Sequence, residues 1–278
     1  MTRWTTVAQK EIRSFFTGRT PKIGVGLVAL VFVFGGYITP TTVENPAAMD
    51  VTIADLDRFL RGIVVFLVPL FGLLLGYRAV VGEREGGQLA LVLSSPISRA
   101  DVVLGKTLGR GLILTTTITA GTLGAAALVD YPFGTVALDT LVIFLVTTVL
   151  YGVVFLTIGI GLSTLTASMR RATILTFGVF FLLVVAWPGL EGYILDALQY
   201  VNLAGDALPD WARFVYGAEP TLLYQRVMDA FVADVNTGAY LGSSAPWYLG
   251  GGTAVVLLVA WAALPVLGGY VRFRRADL

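Results

Sequence analysis

The chain has 278 residues, of which 56% are hydrophobic and only 13% are charged, and its mean hydropathy is +0.81. A soluble domain carries about 25% charged residues, so this composition excludes an ordinary soluble enzyme and indicates several membrane spans. The net charge of +1 gives no overall basic field that would favour nucleic acid. Because cysteine and histidine are both absent, disulfides, Cys/His zinc sites and histidine-based catalysis are excluded.

The first segment, residues 2–18, has the pattern of an amphipathic helix. Apolar side chains recur at helical spacing, while Arg3, Lys10 and Arg13 fall on other faces. A basic helix of this kind lies in the membrane interface, with its cations near anionic headgroups. The alternative is a basic flanking segment whose periodicity arises by chance. The apolar positions are Trp4, Val7, Ala8, Ile12, Phe15 and Phe16.

Six apolar runs are long enough to be membrane spans. A spanning helix needs about 20 residues, because roughly 30 Å of hydrocarbon is crossed at about 1.5 Å per residue. The first run is longer than the apolar part of a signal peptide and no clear small-residue cleavage site follows it, so we expect it to be retained. The predicted spans are about 22–39, 62–81, 107–129, 136–162, 172–188 and 249–270.

The distribution of lysine and arginine predicts the orientation of these spans. With the N-terminus inside, most of the 19 basic residues lie on the inner side, and the outer segments are rich in Asp and Glu. The positive-inside rule therefore predicts a multi-pass protein of the plasma membrane with both termini in the cytoplasm. The basic residues left in outer segments are Arg58, Arg61, Arg213 and Arg226.

Two segments outside the bilayer are long enough to carry function, an inner one at 82–106 and an outer one at 189–248. The inner segment has charges at both ends and an apolar run, Leu89–Leu93, that is too short to cross the membrane. Pro96 interrupts this run, and a second short helix is expected to begin near Ser98. The outer segment is predicted to form short helices that cap the outer mouth of the bundle.

Small residues recur at helical spacing within the spans and predict close helix packing. They are interpreted as contacts within one chain rather than as a dimer face, because such patterns let helix backbones approach each other. The pairs are Gly72 and Gly76 in the second span, Gly121 and Ala125 in the third, and Gly152 and Gly159 in the fourth.

Two kinds of site are rejected on the residues. Ala100–Thr107 loosely matches a phosphate-binding loop, but alanine replaces its first glycine, four apolar or acidic residues fill the loop, and a span follows it directly. Lys106 and Arg110 are instead interpreted as a basic anchor at the inner end of the third span. Ionisable residues are absent near the predicted midplane, which argues against an ion-coupled carrier or an acidic channel filter. Neither a catalytic residue nor a metal site is predicted.

The inner segment resembles a stretch of the ABC-2 type transporter permeases. The motif E-R-E at Glu83–Glu85 is followed by glycine, spaced leucines, an S-P turn and a basic end, as in that family. Gln88 and Ala90 depart from it, since threonine and an acid are usual there. The motif positions are Glu83, Arg84, Glu85, Gly87, Leu89, Leu91, Leu93, Ser94, Ser95, Pro96, Ile97, Ser98, Arg99, Gly105 and Lys106.

The resemblance implies an all-α transmembrane subunit of an ABC transporter, with the ABC-2, type V exporter-like architecture. Two such subunits, either two copies or a copy and a paralogue, would pair with separate ATPase subunits that bind ATP and Mg²⁺, so this chain would bind no cofactor. The segment 82–106 would be the coupling helix. Its acids and Arg84 would contact the ATPase, Leu89, Leu91 and Leu93 would fix it by burial, and Arg99 would anchor its far end.

Within the family, length and shape are similar to the permease of the exporter that serves nitrous-oxide-reductase maturation. Two other functions remain open at the level of sequence. One is a non-transporting membrane scaffold or assembly factor, and the other is an ATP-independent channel or carrier. Both predict that residues 83–99 form an ordinary loop that tolerates charge reversal.

Overall fold

The computed structural model describes residues 3–17, 19–38, 53–89, 94, 97–133 and 137–275. The regular secondary structure in these ranges consists of helices, which are joined by turns and loops. The helices are α1 (Arg3–Thr17), α2 (Arg19–Ile38), α3 (Ile53–Gly76), α4 (Val81–Glu85), α5 (Arg99–Phe133), α6 (Leu138–Leu165), α7 (Met169–Phe180), α8 (Glu191–Tyr200), α9 (Asp210–Tyr216), α10 (Pro220–Phe231), α11 (Gly238–Leu241) and α12 (Gly251–Arg275).

Five helical stretches are long and apolar enough to cross a membrane: Leu60–Glu85, Arg99–Leu128, Leu138–Leu165, Met169–Gly189 and Gly251–Arg275. A shorter apolar stretch, Lys22–Gly35 in α2, lies within the first predicted span. The prediction of an all-α polytopic membrane protein is therefore confirmed.

Helix α6 is the centre of the bundle. It is apolar on every face, which is typical of a helix surrounded by protein, and most of its side chains from Phe144 to Thr164 are buried. It packs against α3, α12, α5 and α10. The helix α12 and the stretch Met169–Gly189 bury much less of their surface within the chain, so they lie at the periphery of the bundle.

The helix α5 begins before the third span that the sequence predicts at 107–129. Ser98 and Asp101 form a capping box, in which the Ser98 N–H donates to Asp101 Oδ2 and the Asp101 N–H donates to Ser98 Oγ. A helix therefore begins near Ser98 as the sequence predicts, but it is not short, because it continues without a break into the third span. The span is predicted from a run of apolar residues, and the first turns of α5 contain charged residues. The sequence therefore does not show that the helix near Ser98 and the third span are one helix.

The outer segment inserts one of its helices into the bundle. Helix α10 packs on α6 and α12, and its Tyr224 ring stacks on that of Tyr151 with centroids 4.5 Å apart. The Tyr151 hydroxyl lies 3.2 Å from both Val65 O and Thr221 Oγ1. At the rim, Arg61 Nη1 lies 2.6 Å from Asp229 Oδ1. These contacts join α10 to the spans α3 and α6.

The outer end of α7 departs from regular α-helix. A π-helical turn at Phe181–Ala186 is followed by a 3₁₀ turn at Trp187–Gly189, which contains Pro188. The Trp187 indole N–H donates to Tyr216 O, and the Tyr216 hydroxyl donates to Pro188 O. This reciprocal pair fixes the exit of the span against α9.

Candidate coupling site at the inner face

The chain that follows α3 is attached to the inner end of α6. The turn at residues 77–80 leads into α4, and the backbone N–H groups of Val80 and Val81 both donate to Ser163 Oγ, at 2.9 and 3.0 Å. Ser163 is fully buried. One hydroxyl thus satisfies two amide groups at the start of a helix, where amides lack partners within the helix.

Glu83 belongs to a charge cluster that joins three segments of the chain. Lys106 Nζ of α5 lies 3.0 Å from Glu83 Oε1 and 2.6 Å from Glu11 Oε1 of α1. Arg110 Nε of α5 lies 2.8 Å from Glu11 Oε2, and its Nη1 donates to Leu75 O at the end of α3. We call Glu11, Glu83, Lys106 and Arg110 the inner charge cluster.

The inner charge cluster is largely removed from water, since Lys106 is 1% and Glu11 is 7% exposed. Burial opposes the ionisation of Glu11, but Arg110 and Lys106 outweigh it and hold the pKa of this carboxyl below its ordinary value. A buried ammonium group needs such partners, because an unpaired buried charge costs several kcal/mol. Lys106 and Arg110 therefore hold α5 against α1 through their ion pairs with Glu11.

Sequence reasoning missed Glu11, although the sequence contains a signal for it. Glu11 is the only acid of α1, and it follows Val7 by four residues, which places it on the apolar face of this amphipathic helix. Two glycines of α5 let the helices meet there: a Cβ on Gly105 would lie 2.7 Å from Trp4 O, and one on Gly109 would lie 3.0 Å from Ala8 O.

Glu85 connects the same segment to α7. Its Oε1 accepts a hydrogen bond of 2.7 Å from the Met169 N–H, at the first residue of α7. A carboxylate at this position satisfies an orphan amide and faces the positive end of the helix dipole. Arg84 between the two acids is half-buried.

The end of α4 is a left-handed turn. Gly87 has φ +69°, and its N–H donates to Arg84 O at 3.2 Å. A glycine fits this conformation without strain. Leu89 beyond it is buried at 1% exposure, whereas residues 85–88 are exposed. Leu91, Leu93 and Pro96 lie outside the described residues.

Arg99 joins the start of α5 to the inner end of α12. Its Nη1 donates to Phe273 O at 2.5 Å and to Arg274 O at 3.1 Å, and its guanidinium lies 5.4 Å from the centroid of the Phe273 ring. Cations at a helix C-terminus satisfy its free carbonyls and face the negative end of the dipole. The two ends of the coupling segment thus contact different helices.

The small residues of the spans lie at close helix contacts. A Cβ on Gly72 would lie 2.7 Å from Gly152 O, and one on Gly159 would lie 2.9 Å from Leu73 O. A Cβ on Gly76 would collide with Leu156 O. In α5, a Cβ on Gly121 would lie 2.9 Å from Phe32 Cβ of α2, and Ala125 is fully buried.

Comparisons with known proteins agree with this architecture. The model of the family described as ABC-2 family transporter protein matches residues 5–278. The Probable ABC transporter permease protein NosY of Stutzerimonas stutzeri is 31% identical over 229 residues, which cover 78% of this chain and 78% of that protein. The protein of the same name from Pseudomonas aeruginosa (strain PAO1) is 33% identical over 221 residues, covering 77% and 78%. The chain therefore belongs to the ABC-2 family of transporter proteins, as its inner segment indicates, and is a membrane permease subunit of an ABC transporter.

Proposed function

We propose that a separate ATPase subunit drives this permease by docking on the coupling segment, residues 82–106. The observation that carries the proposal is the attachment of this segment, and of the turn that leads into it, to several helices of the bundle. Ser163 of α6 holds the amides of Val80 and Val81 just before the segment. Within the segment, Lys106 joins Glu83 to the start of α5 and to Glu11 of α1. Glu85 joins the segment to α7, and Arg99 joins it to α12. A loop with no mechanical role needs no such set of attachments.

The contacts support a rigid transmission of movement. Closure of two ATPase subunits would push the segment, and the buried pairs would carry the push to the inner ends of the spans. Packed helices respond to such a push as rigid bodies, by rotation or shear. The cleft between two permease subunits, two copies or a copy and a paralogue, would then alternate between inner and outer access.

The exposed run at residues 85–88 is the surface offered to the ATPase. Glu85 and Gln88 supply polar groups there, and Leu89 holds the run against the bundle from within. Glu83 and Arg84 are less exposed, so we assign Glu83 chiefly to transmission and the exposed run to recognition. ATP and Mg²⁺ would act in the ATPase subunit, and this chain would carry no catalytic residue.

Export is the proposed direction, and an ABC transporter similar to that of the NosY permeases is the proposed setting. The positive-inside distribution of basic residues predicts that the coupling segment and both termini face the cytoplasm, where an ATPase has access to ATP. Apolar walls suit many cargos about equally well, so the proposal names no cargo.

The test is co-purification of the tagged chain from its native membranes in mild detergent. We expect a soluble subunit in the eluate, together with vanadate-sensitive ATP hydrolysis. Glu85→Lys is expected to remove most of both, because it reverses a charge on the exposed run. Asp206→Lys is the matched control, since it reverses an exposed acid in the outer segment and should leave both unchanged.

Two results would contradict the proposal. If Glu85→Lys retains the soluble subunit and full ATP hydrolysis, the docking assignment is wrong. If the unmodified chain purifies alone and inactive from several mild detergents, an ATP-driven role is wrong, and ion flux in liposomes becomes the measurement for a channel or carrier. Reversal of both Glu83 and Glu85 extends the test to transmission, with membrane insertion as the readout of folding.

A further inference from the structure

We propose that a cavity at the inner face binds an anionic phospholipid of the inner leaflet. The cavity has a volume of about 580 Å³ and lies between α1, α2, α3 and α5. This volume is within the range of roughly 300–1,000 Å³ that is usual for ligand sites. It accommodates a headgroup and the first part of an acyl chain.

The lining of the cavity has an apolar and a cationic part. Phe71, Leu74 and Ile113 form an apolar wall on the spans, and Phe15 adds to it from α1. Two basic residues, Arg78 and Arg110, line the same cavity. A phospholipid has the same two-part chemistry, since its anionic phosphate is joined through glycerol to hydrocarbon chains.

The charges of the cavity favour an anion. Arg110 is held by Glu11 and by Leu75 O, so its charge is largely balanced. Arg78 is exposed, and within the part of the chain that the structure describes it pairs with no carboxylate. Its guanidinium lies 6.0 Å from the centroid of the Tyr77 ring, which leaves its N–H groups available. Phosphate is one of the anions that suit a guanidinium fork.

The position of the cavity favours a lipid over a free phosphate ion. The helix α1 lies along the inner ends of the spans and has one apolar and one polar face, so it is suited to the headgroup level. Leu74, which lines the cavity, is 42% exposed, so the apolar wall is accessible from outside the bundle. A free phosphate would leave the apolar wall exposed to water, whereas an acyl chain covers it.

This inference is independent of the ATPase, because it concerns the purified chain and its membrane. A bound lipid would contact α1 and α3 beside the inner charge cluster and would hold them at a fixed spacing. The permease would then be more stable in membranes that contain anionic lipid.

Native mass spectrometry of the full chain in detergent tests the proposal. The protein is incubated with phosphatidylglycerol, with phosphatidylcholine of the same acyl chains, or with inorganic phosphate. We expect one phosphatidylglycerol per chain, retained about five-fold better than phosphatidylcholine, because a basic side chain attracts an anionic lipid by about that factor. Arg78→Gln should lower retention of phosphatidylglycerol to the level of phosphatidylcholine. Arg171→Gln, which removes an exposed inner cation elsewhere, should not.

A second variant tests the apolar part separately. A Cβ on Gly24 has open space around it, so Gly24→Leu would fill the cavity without a clash at Cβ. It should lower retention of both lipids and leave the melting temperature of the lipid-free chain unchanged. Equal retention of phosphatidylglycerol by the unmodified chain, Arg78→Gln and Gly24→Leu would overturn the proposal. So would binding of inorganic phosphate that displaces the lipid. If Arg78→Gln fails to fold, the retention of phosphatidylglycerol by Gly24→Leu decides.

Discussion

At the scale of the residue, Glu11 is the acid on which the inner charge cluster depends. It lies 2.6 Å from Lys106 and 2.8 Å from Arg110 in surroundings that are largely removed from water. Removing one member of a buried pair leaves the other charge desolvated and unpaired, which costs about 3–5 kcal/mol. Because Lys106 keeps Glu83 and Arg110 keeps Leu75 O, we expect a cost at the lower end of that range.

Glu11→Gln is therefore expected to lower the free energy of unfolding by about 3 kcal/mol, measured as a lower melting temperature in mild detergent. Asp139→Asn is the control, since Asp139 is an exposed acid at the outer end of α6 and surface changes stay within about 0.5 kcal/mol. Adding Lys106→Met to Glu11→Gln should recover part of the loss. Equal melting temperatures for Glu11→Gln and Asp139→Asn would show that the cluster does not stabilise the fold.

A second buried acid, Glu219, predicts a pH dependence in the outer segment. Burial raises its pKa to about 7, although hydrogen bonds from the Thr221 and Leu222 amides at the start of α10 act in the opposite direction. A raised pKa means that the folded chain holds a proton that the unfolded chain releases near pH 4.5. The associated stability is fully present below pH 4.5 and is lost as the pH rises to about 7.

The melting temperature of the unmodified chain is thus expected to fall between pH 5 and pH 8. Glu219→Gln should remove most of this fall, because glutamine does not titrate. Glu11 cannot produce the same profile, since its lowered pKa places its own loss of stability at lower pH. A profile for Glu219→Gln that is superimposable on that of the unmodified chain would assign the pH dependence to other groups.

At the scale of the element, the contact between α3 and α6 depends on glycine. A Cβ on Gly76 would collide with the backbone of Leu156 and Ile160, and backbone atoms cannot move aside as a flexible side chain can. Gly62 lies in the same helix with open space around its Cβ position. The two positions form a matched pair for a single type of substitution.

Gly76→Ala is expected to destabilise the chain by about 1–3 kcal/mol through overpacking. Gly62→Ala should be neutral or slightly stabilising, because alanine favours a helix over glycine by up to about 1 kcal/mol. Thermal unfolding of both variants in the same detergent measures the difference. Similar melting temperatures would mean that α3 and α6 can separate at no cost.

The sequence predicts helices better than it predicts contacts between them. The span predicted at 136–162 is α6 at Leu138–Leu165, because a long apolar run has only one stable form in a membrane. The start of a helix near Ser98 is predicted, but its continuity with the third span is not, because the predicted start of that span follows hydropathy and the start of α5 follows the Ser98 capping box. The pairing of Glu11 with Lys106 joins residues 95 apart, and no local pattern encodes the register between two helices.

At the scale of the whole molecule, the coupling proposal and the lipid proposal both require the same face of the bundle to be cytoplasmic. The inner charge cluster, Arg99 and the cavity with Arg78 all lie at the end of the bundle that holds the coupling segment. The outer helices α8 to α11 lie at the other end. A reversed orientation would place the coupling segment away from ATP and would contradict the first proposal.

Orientation can be measured directly, because the chain contains no cysteine and a single introduced thiol is the only reactive one. Tyr200 is 90% exposed in the outer segment, and Arg171 and Arg275 are exposed at the inner ends of α7 and α12. We expect a membrane-impermeant maleimide to label Tyr200→Cys in intact cells. It should label Arg171→Cys and Arg275→Cys only after the membrane is opened, since the positive-inside rule predicts that these ends face the cytoplasm. Labelling of Arg275→Cys in intact cells would reverse the orientation, and the ATPase could not then reach the coupling segment.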